Sequence, residues 1–144
     1  MRRWVARIAL GLLGLVVLAL TCGASYEALA RRQVAARFPV PGKLVDIGGR
    51  ALHIDCRGTG SPTVVFESGL DSAGALAWSL VHDEVAQVTR ACSYSRAGIL
   101  SSDPAVGERD ADAVAEDLHV LLERAGERPP LVLVAHSLGG IYAM

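Results

Sequence analysis

The sequence predicts an α/β layered domain with a mostly parallel sheet, preceded by one apolar helix. Three observations point there. From Ile8 to Tyr26 no residue is charged. After Pro41, short β-type runs alternate with amphipathic stretches, the order expected of a sheet layered with helices. The last of those runs, "LVLVA" (131–135), is apolar at every position, as a parallel strand covered on both faces must be.

The apolar run comes first. A helix over Ile8–Tyr26 spans roughly 28 Å at about 1.5 Å per residue, close to the ~30 Å hydrocarbon core of a bilayer. Residues 1–30 read as an uncleaved membrane anchor, with lipid as the expected partner. A cleaved signal peptide is the alternative, cut after Ala24 or at Ala28-Leu29-Ala30, and would release a secreted body. A lipoprotein reading of Cys22 is disfavoured, because Thr21 is bulkier than the small residue such sites carry. Arg2, Arg3 and Arg7 precede the run and Arg31, Arg32 and Arg37 follow it, so the positive-inside rule barely discriminates. The order of basic head, apolar run and small residues places the body on the extracytoplasmic, periplasmic side.

Residues 31–42 form a basic, Pro-rich linker in which Pro39, Pro41 and Gly42 stop any helix. The domain proper is expected over 43–144. Charge divides at this boundary: residues 1–37 carry a net +5 and residues 38–144 a net −6. The acidic body has no Lys/Arg cluster interleaved with aromatics, which excludes nucleic acid as a partner class.

Within the body, "LVDIGG" (44–49) and "RALHIDCRG" (50–58) read as a hairpin around Gly48-Gly49. "TVVFESG" (63–69) is the third strand. Residues 73–89 read as a helix with Leu76, Leu80, Val81, Val85 and Val88 on its buried face. "RACSYSRAG" (90–98) is the fourth strand. Over 109–126, Val114, Leu118, Leu121, Leu122 and Ala125 follow the i, i+3, i+4 pattern, with Asp110 and Asp112 at the start and Gly126 at the end, which defines a helix. Pro129-Pro130 then leads into "LVLVA".

The chemistry centres on "AHSLGG" (135–140). Ser137 stands where an apolar strand must turn sharply into a helix, flanked by Ala135 and Gly139, which are small enough for strand and helix to touch. That turn thrusts the hydroxyl outward and aims the backbone N–H of Leu138 into the same space, where a developing oxyanion needs donors. Ser137 is therefore the candidate nucleophile. His136 leaves the turn in a different direction and is not taken as its base. His53 reads as a packing or surface residue, His82 and His119 as solvated helix positions, and Trp78 as helix packing. The histidines lack metal-ligand spacing, so no metal is expected, and no cofactor.

Taken together, "LHIDCRGTGSPTVVFESG", "CSYSRAG" and "AHSLGG" resemble the N-terminal half of an α/β-hydrolase, of a bacterial extracytoplasmic subgroup, over residues 42–144. The resemblance implies a serine hydrolase acting on an ester or amide through an acyl-enzyme at Ser137. It implies that Gly69 turns the loop after the third strand and that the N–H of Leu70 is the second oxyanion donor. Here Glu67-Ser68-Gly69 stands where many members have His-Gly, Ala135 replaces the first glycine of the elbow, and Ser95 replaces an aspartate. The family's sheet sets the second strand antiparallel to the one holding Cys92, which implies a Cys56–Cys92 disulfide, at home in an oxidising compartment. In this fold the order is Ser, acid, His, yet only Leu138 to Met144 follow Ser137. The chain thus reads as a front half truncated after the elbow, expected to be inactive and poorly soluble by itself. The competing reading is a non-catalytic, membrane-tethered binding or assembly fragment.

Overall fold

The computed structural model describes residues 2–37, 39–70 and 73–144. The chain divides into two units, Met1–Val40 and Pro41–Met144. The first is one helix, α1 (Arg2–Arg37). Within Arg7–Val34 an 18-residue window reaches a mean hydropathy of 2.3, and the segment is long and apolar enough to cross a membrane, which suits an anchor and a signal sequence alike. Residues 31–37, expected as linker, continue this helix. The stretch after the apolar run, "EALARRQVAAR", is made largely of strong helix formers, and no breaker precedes Pro39.

The second unit is built on a five-stranded mixed sheet of order β1-β2-β4-β3-β5. Its strands are β1 (Lys43–Asp46), β2 (Ala51–Arg57), β3 (Thr63–Glu67), β4 (Ala91–Ser95) and β5 (Leu131–Ala135). β1 pairs antiparallel with β2, and β2 antiparallel with β4. β3 lies parallel to both β4 and β5. The hairpin closes where expected: the Asp46 carboxylate accepts from the N–H groups of Gly48 and Gly49.

The two sheet faces differ in chemistry because side chains alternate along each strand. On one face Val45, Leu52, Ile54, Val65, Cys92 and Tyr94 meet Leu118, Leu121 and Leu122 of a helix, α3 (Ala111–Ala125), to form the main core. The Asp110 side chain accepts from the N–H of Ala113 and caps the start of α3, and Gly126 ends it in the left-handed conformation at φ 89°. The other face is polar. His53, Asp55, Ser93 and Ser95 are buried there and each has a polar partner: Ser95 Oγ lies 3.4 Å from His53 Nδ1, His53 Nε2 lies 2.6 Å from the Pro41 carbonyl, Asp55 accepts from Arg57, and Ser93 Oγ lies 3.3 Å from His82 Nδ1.

That polar face explains the main departure from expectation. Residues 73–89 are not one helix but a 3₁₀ turn, Gly74–Trp78, followed by a short helix, α2 (His82–Ala86). Leu80 and Val88, expected to be buried, are 90% and 85% exposed, whereas His82 is 3% exposed. Tertiary contacts override the periodicity. His82 Nε2 sits 3.0 Å from the Ala91 carbonyl and its Nδ1 3.3 Å from Ser93 Oγ, and Trp78 stacks on Phe66 at 4.7 Å. These anchors tie the segment to hydroxyl and aromatic groups rather than to aliphatic ones. His82 is therefore a structural, hydrogen-bonded residue, not a solvated one, whereas His119 is exposed. β5, expected as an interior strand, pairs with β3 and forms an edge of the described sheet, with Leu131, Val132, Leu133 and Val134 all partly exposed.

Cys56 and Cys92 are register partners across the β2–β4 ladder and are joined by a disulfide. They lie 36 residues apart in sequence. A cross-link closing a loop of that length constrains the unfolded chain by about 4 kcal/mol. Cys56→Ala/Cys92→Ala should lower unfolding stability by about that amount in denaturant titrations of the non-reduced protein. Under reducing conditions the two proteins should differ by far less, and an equal gap in both would show that the bond is not responsible.

Candidate active site

The site is assembled where β5 and β3 end side by side. In the ladder Glu67 is opposite Ala135, and one residue on, the N–H of His136 donates to the Glu67 carbonyl at 3.1 Å. Pairing then stops and the chain reverses through Ser137 into a short helix, α4 (Gly139–Tyr142). Ser137 has φ 53°, a left-handed conformation that a residue bearing Cβ adopts only at a cost of about 1–3 kcal/mol. It is exposed. Such a turn needs a close approach just beyond it, and Gly139 supplies one. A Cβ there would lie 2.6 Å from the Ser68 carbonyl oxygen and 2.7 Å from that of Glu67. Ala135, one residue before the turn begins, lies on the open edge strand, where its methyl group is tolerated.

The loop after β3 closes the other side. A Cβ on Gly69 would lie 3.2 Å from Ser137 Cβ and 3.1 Å from His136 Nδ1, so this loop comes into tight contact with the elbow and a side chain at residue 69 would need its neighbours to give way. Leu70 follows and is 85% exposed. Leu138 stands at the start of α4 with φ −54°.

A buried ionic cluster beneath the loop escaped the sequence reading. Arg96, at the end of β4, donates through Nη1 to Glu67 Oε1 and to the Ser68 carbonyl, and through Nη2 to the Gly69 carbonyl. Its guanidinium also lies over the Tyr142 ring of α4 at 5.1 Å. Tyr94 Oη donates to Glu67 Oε2. Glu67 is 1% exposed. Burial raises its pKa above the ordinary carboxylate value, against the pull of the Tyr94 and Arg96 hydrogen bonds. Burial and then the Glu67 charge push the Tyr94 phenol well above its usual value. Both Glu67 and Arg96 lie inside the segments that carry the family resemblance, and only a search for complementary charges within those segments would have linked them. Ser95, where an aspartate is usual, holds a different corner: its Oγ accepts from the N–H of Ala75 at 3.2 Å.

One His/Cys/Asp/Glu group is compact enough to hold a metal among the described residues: Cys56, Cys92 and Glu127. Both sulfurs are in the disulfide, and the Glu127 carboxylate is taken by Arg90. The Glu127 group is thus spoken for structurally.

No family model matches the chain. The fold, however, has close counterparts. An epoxide hydrolase from Bacillus megaterium superposes with a TM-score of 0.62 at 21% identity, over 70% of this chain and 35% of that one. An esterase from Exiguobacterium antarcticum does so with a TM-score of 0.63 at 19% identity, over 71% and 38%. The chain has the α/β-hydrolase fold. In sequence it is 30% identical over 120 residues to the uncharacterized protein YbdG of Bacillus subtilis (strain 168), covering 83% of this chain and 37% of YbdG. It therefore spans a little over a third of each of these relatives rather than half. Ser137 is the strained residue between the last described strand and the helix that follows it.

The cluster under the loop yields a pH-dependent prediction. Because the folded-state pKa of Glu67 is raised, its contribution favours folding at low pH and is lost as pH rises through that value. Arg96→Met removes a group that holds the pKa down and leaves a buried carboxylate unpaired. The variant should lose about 3–5 kcal/mol of stability at about pH 8. The loss should be smaller at about pH 4, where Glu67 takes up a proton. Denaturant titrations at both pH values read this directly, and equal losses would show that Glu67 ionisation is not coupled to Arg96.

Proposed function

We propose that the chain is the nucleophile-bearing part of a membrane-anchored serine hydrolase that cleaves an ester or amide bond. The observation that carries this reading is the positive φ of Ser137 at the junction of β5 and α4. A serine held at energetic cost on a strand-to-helix turn suits a nucleophile presented to substrate. The esterase and epoxide-hydrolase folds among its structural counterparts support hydrolysis as the reaction class.

In the proposed reaction Ser137 Oγ bonds to the substrate carbonyl carbon and its proton passes to a histidine base. The carbonyl oxygen takes the negative charge, facing the N–H groups of Leu138 and Leu70. The leaving alcohol or amine departs with the proton, and water then releases the acid from the acyl-enzyme. The base and its acid are assigned to no residue of this chain. Without triad partners only about 10³–10⁴-fold catalysis over water is left by the oxyanion donors and binding. α1 tethers the domain on the extracytoplasmic side, where the Cys56–Cys92 disulfide suits an oxidising environment.

The test is covalent labelling. A fluorophosphonate probe should modify Ser137 when the chain is co-expressed with a complementing polypeptide that bears an acid and a histidine in family order. Ser137→Ala should remove the label, and the chain alone should label at least 10²-fold more slowly. Absence of labelling in the complemented protein would favour a non-catalytic, tethered binding module. Rapid turnover of a p-nitrophenyl ester by the chain alone would show that Ser137 finds its base elsewhere.

A further inference from the structure

A groove of about 320 Å³ opens beside the elbow, with Gly69 and His136 at one end and Ala77, Trp78, Leu80 and Val81 along it. It adjoins Ser137 directly, since the two residues at its inner end are those that pack against the serine's Cβ or precede it in the chain. Among the described residues, none of its lining is Asp, Glu, Lys or Arg, and the one ionisable ring is that of His136. The Ser68 hydroxyl in its lining is already engaged: Oγ accepts from Trp78 Nε1 at 3.0 Å and donates to the Gly74 carbonyl at 2.8 Å. The same bond, with the stacking of Trp78 on Phe66, holds the indole as a preformed wall. Leu80 is 90% exposed and Val81 43% exposed, so the aliphatic side of the groove is apolar surface without cover.

We infer that this groove receives an unbranched apolar chain carried by the substrate of Ser137, making the substrate a medium-chain ester or amide rather than a charged or compact one. The inference rests on the serine-hydrolase reading above and adds the substrate class to it. A volume of this size lies at the lower end of ligand pockets, which run from about 300 to 1,000 Å³, and so suits a chain of several methylenes rather than a long acyl tail. Each methylene moved from water into such a groove should strengthen binding by about three- to four-fold. Leu80 and Val81 become the residues that set chain-length preference, and Trp78 the surface along which the chain lies.

The experiment reads binding without chemistry. The chain has two tryptophans, Trp4 and Trp78, so the full chain carrying Trp4→Phe reports from the groove alone. Methyl esters of butanoic, hexanoic and octanoic acids, brominated at the chain end, are titrated against Trp78 fluorescence. Quenching should tighten by about ten-fold for each two methylenes added. Leu80→Asp, at an exposed position that the fold does not need, should flatten that dependence, and Ala77→Leu should do so by filling the groove without adding a fluorophore. Affinity independent of chain length overturns the inference, as does a length dependence that survives both variants, which would reflect partition into detergent. This readout is separate from fluorophosphonate labelling. Labelling of Ser137 beside an indifferent Trp78 overturns the groove assignment alone. Failure of labelling in the complemented protein overturns the hydrolase reading, and the substrate assignment with it.

Discussion

The site depends on a single guanidinium. Arg96 is 8% exposed, and its donors reach three consecutive residues of the loop after β3: the Glu67 carboxylate and the carbonyls of Ser68 and Gly69. A buried ion pair is weak evidence of stability, because desolvation offsets much of the attraction. Its value here lies in geometry. Three carbonyl or carboxylate acceptors are brought to one planar donor group, and the loop that packs against Ser137 has little freedom left. Tyr142 of α4 lies under the same cation, so the two halves of the elbow's surroundings share one anchor. Tyr94 satisfies the remaining oxygen of Glu67, as a buried carboxylate requires.

Close approach is the second constraint, and it works through absent atoms. At Gly139 a single added carbon would collide with backbone, and at Gly69 it would press on the serine itself. Strand, loop and helix can converge on Ser137 because these positions carry no side chain. The strain at Ser137 is then held by the parallel pairing of β3 with β5 on one side and the N–H of His136 on the Glu67 carbonyl beyond it. Backbone strain of this kind persists only where the surroundings over-determine it.

The division of the sheet into an aliphatic face and a polar face sets where histidine can do chemistry. His53 and His82 lie on the polar face, buried, with both ring nitrogens close to hydroxyl or carbonyl oxygens. They fill space and satisfy polar groups, and neither is available to a substrate. The same face keeps the 3₁₀ turn and α2 short, which leaves Leu80 and Val81 uncovered beside the loop after β3 and creates the groove.

The alternation of β-type and amphipathic segments, the caps of α3 and the strand-to-helix turn at Ser137 were legible from the sequence, because each follows from local period or from the conformational limits of a few residues. The Cys56–Cys92 pairing and the role of Gly69 were legible only through family resemblance, since each depends on which strands lie side by side. Three things belonged to the tertiary structure alone. The Glu67–Arg96 pair joins residues 29 apart that no periodicity connects. The segment 73–89 abandons its helical pattern because the face it meets is lined with serine and histidine rather than leucine. The burial of His82 follows from that same face. Local sequence determines what a segment prefers, but the chemistry of the surface it lands on, assembled from distant strands, decides which side chains are buried and which hydrogen bonds close.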